Sequence, residues 1–294
     1  MKTGPIKQQQ PAVTRTVLLT ITAMFAFAAN SIFCRMALGQ GLIDAATFTT
    51  VRVIAGAVTL SLILAPRWIR NGRGRGNWRA ALMLFAYMAC FSFAYLSLGA
   101  GTGALILFGA VQLTMFIAAL RAGEHFAAGS WAGLLLAIGG LIYLVSPGIT
   151  APDTAGALLM ATAGIAWGLY SILGRRSGDP LEATANNFIY AVPLVILVSL
   201  AFMADFKGSG EGFLLAVASG AIASGLGYAI WYAALKGLSG TRAATVQLSV
   251  PVIAAFFGVV LLAEAVTLRL LISSAATLGG VAIVLAQRAR QKSP

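Results

Sequence analysis

A chain of 294 residues that is 59% hydrophobic and only 10% charged leaves no room for a sizeable water-soluble domain. Its net charge of +12 would suit nucleic acid in a soluble protein, but here the basic residues sit in short connections between long apolar runs, so nucleic acid is excluded as a partner. No Gly-x-x-x-x-Gly-Lys-Ser/Thr motif occurs, which excludes ATP hydrolysis by the usual P-loop machinery.

Ten apolar stretches, nearly evenly spaced, fill the chain from Thr14 to Gln287. Crossing the hydrocarbon core of a bilayer takes about 20 apolar residues. In lipid every backbone N–H and C=O must be paired within its own segment, so each stretch becomes a helix. A basic tail, 1–13, precedes span 1 at 14–37. Lys7, Arg15 and Ala26-Phe27-Ala28 resemble a signal peptide with its cleavage site. The apolar run continues to Leu38 and no secreted domain follows, so span 1 is read as retained. It offers Phe27, Asn30, Ser31 and Cys34. Span 2, at 44–65, carries Phe48-x-x-x-Arg52, and Arg52 is the only charge well inside a span. Asp44, two helical turns away, is its candidate partner. The run Arg67 to Arg75 resembles an RNA-binding Gly/Arg stretch, but it lies directly between two spans and reads as an anchor on anionic headgroups.

Span 3, at 77–98, presents Tyr87, Phe91 and Tyr95 as one stripe, because residues three and four apart share a helical face. Span 4, at 102–121, offers Phe108, Gln112 and Met115; Glu124 and His125, the only histidine, follow it. Span 5, at 128–146, holds Gly139-Gly140 and the lipid-facing Leu134, and a linker, 147–153, lies outside the cell. Span 6, at 154–174, offers Trp167, Tyr170 and Ser171 beside Gly164-x-x-x-Gly168. Span 7, at 184–203, contains Asn187 and Pro193, and span 8, at 212–236, offers Tyr228, Trp231 and Tyr232, with Gly225 and Gly227 as possible kinks. Span 9, at 241–263, has Thr245, Gln247 and Ser249 before Pro251, with Glu264 after it. Span 10, at 267–287, holds Gly279-Gly280, and a basic tail, 288–294, closes the chain.

Charges give the topology. With a cytoplasmic N-terminus, Lys2, Lys7, Arg15, Arg67, Arg70, Arg73, Arg75, Arg79, Arg121, Arg175, Arg176, Lys236, Arg242, Arg288, Arg290 and Lys292 fall inside. Only Arg35, Lys207 and Arg269 fall outside. The positive-inside rule is obeyed loop by loop. The expected fold is therefore an all-α integral membrane protein of the bacterial inner-membrane type, with ten transmembrane helices and both termini cytoplasmic.

The two halves repeat. Ser31-Ile32-Phe33-Cys34-Arg35 lies over Ser171-Ile172-Leu173-Gly174-Arg175, and Gly101-Thr102-Gly103-Ala104 over Gly240-Thr241-Arg242-Ala243. Glu124 precedes Gly139-Gly140 by the same spacing that Glu264 precedes Gly279-Gly280. Residues 14–146 and 154–287 are thus two five-helix repeats, and an odd number of spans inverts the second. Ile189-Tyr190-Ala191 takes the place of Arg52 in the second half, which leaves that arginine without a basic counterpart. These features resemble the drug/metabolite transporter superfamily, the ten-helix type with two EamA repeats. That resemblance implies an exporter of amino acids and related metabolites. It places spans 1, 3, 4, 6, 8 and 9 around a central cavity, with 5 and 10 peripheral.

Carboxamides are costly to bury in lipid without partners, so Asn30, Gln112 and Gln247 should face the bundle interior. The expected substrate site comprises Phe27, Asn30, Ser31, Tyr87, Phe91, Tyr95, Gln112, Trp167, Tyr170, Ser171, Tyr228, Trp231 and Gln247. Arg52, Glu124, Glu264 and Pro251 are expected to lock or gate. Aromatic residues also mark membrane interfaces, and small ones serve close helix packing. The expected function is export of neutral or aromatic amino acids by alternating access, with nucleosides, drugs or other metabolites as the alternative cargo. A membrane enzyme or lipid-handling protein is a weaker rival, since one histidine and two separated cysteines offer no metal or thiol site. No cofactor or metal is expected. The partners are a small molecule and the bilayer, and a monomer is expected because one chain supplies both halves.

Overall fold

A computed structural model describes residues 13–174 and 177–291. Lys2, Lys7, Arg175, Arg176 and Lys292, weighed above for topology and repeat, lie outside the described residues. The first half contains α1 (Val13–Gly39), α2 (Ala45–Asn71), α3 (Trp78–Ala94), α4 (Ala100–Arg121) and α5 (Ala128–Val145). The second contains α6 (Thr154–Gly174), α7 (Pro180–Ala201), α8 (Gly210–Leu235), α9 in two pieces (Gly240–Gln247 and Ser249–Leu262) and α10 (Leu268–Gln291). No strand occurs among the described residues; Ile43 and Gly208 form an isolated bridge. Nine described helical spans are long and apolar enough to cross a membrane. The remaining one, α3, is apolar but has 17 residues. It stops short of the expected residue 98 because the chain unwinds into tight turns from Tyr95, where Leu96 N–H donates to Phe93 and Ser97 N–H to Ala94.

Local chemistry explains the boundaries. Asp44 caps α2 by accepting the Thr47 N–H at 2.8 Å, and Asp179 caps α7 by accepting the Glu182 N–H at 3.0 Å. The latter starts α7 before the expected residue 184. Helix α2 passes through Pro66 and runs on to Asn71. Pro251 has no N–H for the turn before it, and α9 breaks at Leu248. Within α8, Ser219–Leu226 winds as a π-helix containing Gly220 and Gly225.

The packing repeats as the sequence does. Helix α3 packs on α6 as α8 packs on α1, and α4 packs on α6 as α9 packs on α1. Helices α2 and α7, α4 and α9, and α5 and α10 pair across the halves. The two halves run head to tail. Asp44, at the start of α2, accepts from Lys207 N–H just past α7, while Arg67, near the end of α2, pairs with Asp179 at the start of α7. The α5–α10 pair packs against α4 and the first piece of α9. A Cβ on Gly133 would lie 2.6 Å from the Gly280 carbonyl oxygen, so the backbones meet there without side chains between them. Gly139 and Gly279 face open space instead. Leu134, expected to face lipid, turns toward α4 and α10 and lines a small void with Gln112 and Val281.

Candidate functional site

A cavity of about 420 Å³ opens between α1, α4, α6, α7, α8 and α9. Phe27 is among the residues that line it. Around that ring stand Tyr228, Trp231 and Trp167, with centroids 5.8, 5.9 and 6.2 Å away. Phe108 adds a further ring 5.9 Å from Trp167. The lining also carries polar groups. Tyr170 and Thr184 share a hydrogen bond of 3.0 Å, and Thr184 and Tyr232 one of 2.8 Å. Asn187, Ser171, Gln112 and Gln247 extend this polar lining. No Asp or Glu lines the cavity. No cluster suited to a metal ion exists among the described residues. The cavity can therefore seat an apolar group among rings while its hydroxyls and amides hydrogen-bond a polar one.

Of the expected site residues, Phe27, Gln112, Trp167, Tyr170, Ser171, Tyr228, Trp231 and Gln247 line this cavity. Asn30, Ser31, Tyr87, Phe91 and Tyr95 do not. Helix α3 is pressed between α6 and α7, so its aromatic stripe is buried behind the wall. Helix α7 takes its place, and Thr184, Asn187 and Ala183 line the cavity from a span expected to lie elsewhere. A cue was available in the sequence. Counting from the two capping aspartates pairs Thr49 with Thr184 and Arg52 with Asn187, rather than with Ile189-Tyr190-Ala191.

Behind the wall lies a polar network. Tyr87 packs 4.5 Å from Trp167 and accepts from Arg52 Nη2 at 3.2 Å and from Asn30 Nδ2 at 3.5 Å. Ser219 donates to Asn30 Oδ1. Asp44 does not reach Arg52, because its two oxygens serve Thr47 and Lys207 N–H groups.

One end of the cavity is sealed. Glu264 accepts the Ala100 N–H at 2.9 Å, capping α4, and pairs with Arg35 Nε at 3.4 Å. Arg35 also donates to the Tyr95 carbonyl at 3.2 Å, and the Tyr95 hydroxyl to the Ala100 carbonyl at 3.3 Å. Ser97 donates to Asp153 at 3.1 Å across the same end. The other end is open between Gly174, Pro180, Leu235 and Gly240. There Glu124, the repeat counterpart of Glu264, turns away and pairs with Arg288. Beside the mouth, partial burial pushes the Asp179 carboxyl up, but the Glu182 N–H and the Arg67 guanidinium outweigh it and hold the group below its ordinary range.

A helical bundle with a central cavity and two head-to-tail halves defines a multi-pass membrane protein of transporter type. Residues 14–146 and again 154–286 match the EamA-like transporter family, and the chain belongs to that family. An uncharacterised protein of Pseudomonas aeruginosa is 51% identical over 274 residues, covering 93% of this chain and 96% of the relative. An uncharacterised transporter of Archaeoglobus fulgidus is 23% identical, covering 94% of this chain and 99% of its own. The uncharacterised transporter YoaV of Bacillus subtilis is 21% identical over 77% of this chain and 82% of its own. A solved crystal structure superposes with a TM-score of 0.68 at 20% identity, covering 95% of this chain and 98% of that one, which shows the shared fold. The apolar helices and the family agree with a place in the bacterial inner membrane.

Proposed function

We propose that this protein exports small amphipathic metabolites, neutral or aromatic amino acids foremost, by alternating access across ten membrane crossings with both termini in the cytoplasm. The cavity carries this reading: its lining joins aromatic rings with hydroxyls and amides, and one end is open while the other is sealed. Its volume of about 420 Å³ falls within the range of about 300–1,000 Å³ usual for small-ligand sites. The mouth lies at the end that carries Arg67, Arg73, Arg121, Lys236 and Arg288, and the positive-inside rule puts that end in the cytoplasm. The cavity then faces the supply of an exported solute. Helix α3 counts as the tenth crossing, its 17 residues extended by the turns to Leu98. The repeat supplies the second conformation, in which the two halves exchange roles.

Purified protein in liposomes should exchange leucine, methionine or phenylalanine. Transport of nucleosides or dicarboxylates alone would sink the amino-acid assignment and leave the fold untouched. In a background without the native cysteines, Asp153→Cys should label from outside and Arg73→Cys from the cytoplasm. Labelling of both from one side would sink the topology.

A further inference from the structure

Among the described residues Arg52 is the one charged side chain that is buried, and no carboxylate pairs with it. Its side chain is 0% exposed. Nη2 donates to the Tyr87 hydroxyl, and the guanidinium carbon lies 4.8 Å from the centroid of the Phe91 ring and 5.5 Å from that of Tyr87. Nε and Nη1 have no hydrogen-bond partner among the described residues. Every described ion pair uses another arginine, Arg35, Arg67 or Arg288. Ring faces offset part of the cost of a buried cation. They do not satisfy its N–H donors, and an unmet charged donor in a dry interior is strongly unfavourable. A packing role would be filled at lower cost by methionine or leucine.

The repeat says what the donors await. Eight residues beyond the capping Asp44 stands Arg52; eight beyond the capping Asp179 stands Asn187. Five beyond each stands a threonine, Thr49 or Thr184. In the second half Thr184 and Asn187 line the open cavity, whereas in the first half Thr49 and Arg52 are sealed. Tyr87 touches both Arg52 and the cavity residue Trp167. When the halves exchange roles, the site of Arg52 becomes the wall of the opposite cavity.

We propose that Arg52 grips the carboxylate of the transported solute with the N–H donors left unmet here. This rests on the alternating-access reading and narrows its cargo: the carboxylate is required and the ammonium is not. No cavity carboxylate stands ready to pair an ammonium, whereas a guanidinium stands ready for an acid.

The test uses the full chain in liposomes, with exchange of labelled leucine against three competitors. Leucine and 4-methylpentanoate, which lacks the ammonium, should compete to a similar degree. Leucinamide, which lacks the carboxylate, should compete about ten-fold or more weakly. Arg52→Met should level the acid and the amide while melting in detergent no lower than the wild type, since it removes an unmet charge; a merely structural arginine would lower the melting temperature. Arg52→Lys should keep part of the preference for the acid. A wild type that accepts leucine and leucinamide alike overturns this inference alone, as does an Arg52→Met that keeps the preference. A wild type that exchanges none of leucine, methionine and phenylalanine overturns the amino-acid reading and the inference together. Should Arg52→Met not fold, the wild-type competition decides.

Discussion

Glu264 and Glu124 follow equivalent helices in the two halves, yet one seals an end of the cavity and the other turns away from it. Glu264 turns inward, caps α4 and holds Arg35; its side chain is 20% exposed. Glu124 turns outward to Arg288 and is 43% exposed. Each follows a residue with positive φ, Gly123 at 81° and Ala263 at 51°. For this cap the sealed end uses a carboxylate that both halves carry, placed on a helix N-terminus, which the aligned N–H groups favour. For these two glutamates the difference between the ends is one of engagement.

The comparison breaks most visibly if the engaged glutamate is removed. Glu264→Ala leaves the Ala100 N–H and the Arg35 guanidinium without their carboxylate, and should cost about 1–3 kcal/mol. Glu124→Ala removes an exposed pair and should cost about 0–1 kcal/mol. Melting of the two variants in detergent measures both, and equal losses would contradict the asymmetry. The cavity walls come next. Trp167→Ala and Gln247→Ala should each lower transport with the fold intact, the latter by about 2- to 10-fold if one hydrogen bond to the solute is lost. Leu135→Ala is the control, since that side chain is 68% exposed and away from the cavity. Wild-type rates and preference in both wall variants would move the site elsewhere.

A smaller effect is expected at Ala263, which holds a left-handed conformation that Gly123 adopts without cost. Ala263→Gly should raise stability by about 0.5–1 kcal/mol, net of the freer unfolded chain. A lower melting temperature would mean that the turn is not strained. The smallest effect concerns Asp179. Its carboxyl is held below the ordinary range, so its contribution is full above the unfolded value and is lost as pH falls through the lowered one. Asp179→Asn should therefore melt below the wild type at neutral pH, and the gap should close in acid.

The apolar stretches, the basic loops and the repeated Glu and Gly-Gly spacing were legible because membrane physics imposes them directly. Which side of a helix meets which neighbour was not. Helices apolar on every face carry little phase information, so the aromatic stripe of α3 read as cavity wall although α6 and α7 cover it. Thr184 was missed because α7 was not expected at the cavity. Asp44 read as a partner for Arg52 on spacing alone, although an aspartate before a helix is first a cap.

The π-helical stretch Ser219–Leu226 sets the phase of everything after it. Gly220 presses against the Arg52 carbonyl and Gly225 against the Thr59 side chain, so the widened turns are wedged along α2. An α-helix advances about 100° per residue. A wider coil advances less, so the screw changes thread midway along α8. Rewound as a uniform α-helix with its lower end fixed, the upper half would swivel, and Tyr228 and Trp231 would leave Phe27 for a different compass bearing. The aromatic cage is in this sense a matter of angular bookkeeping, kept by an eight-residue coil wedged along α2 through Gly220 and Gly225 rather than by the rings themselves.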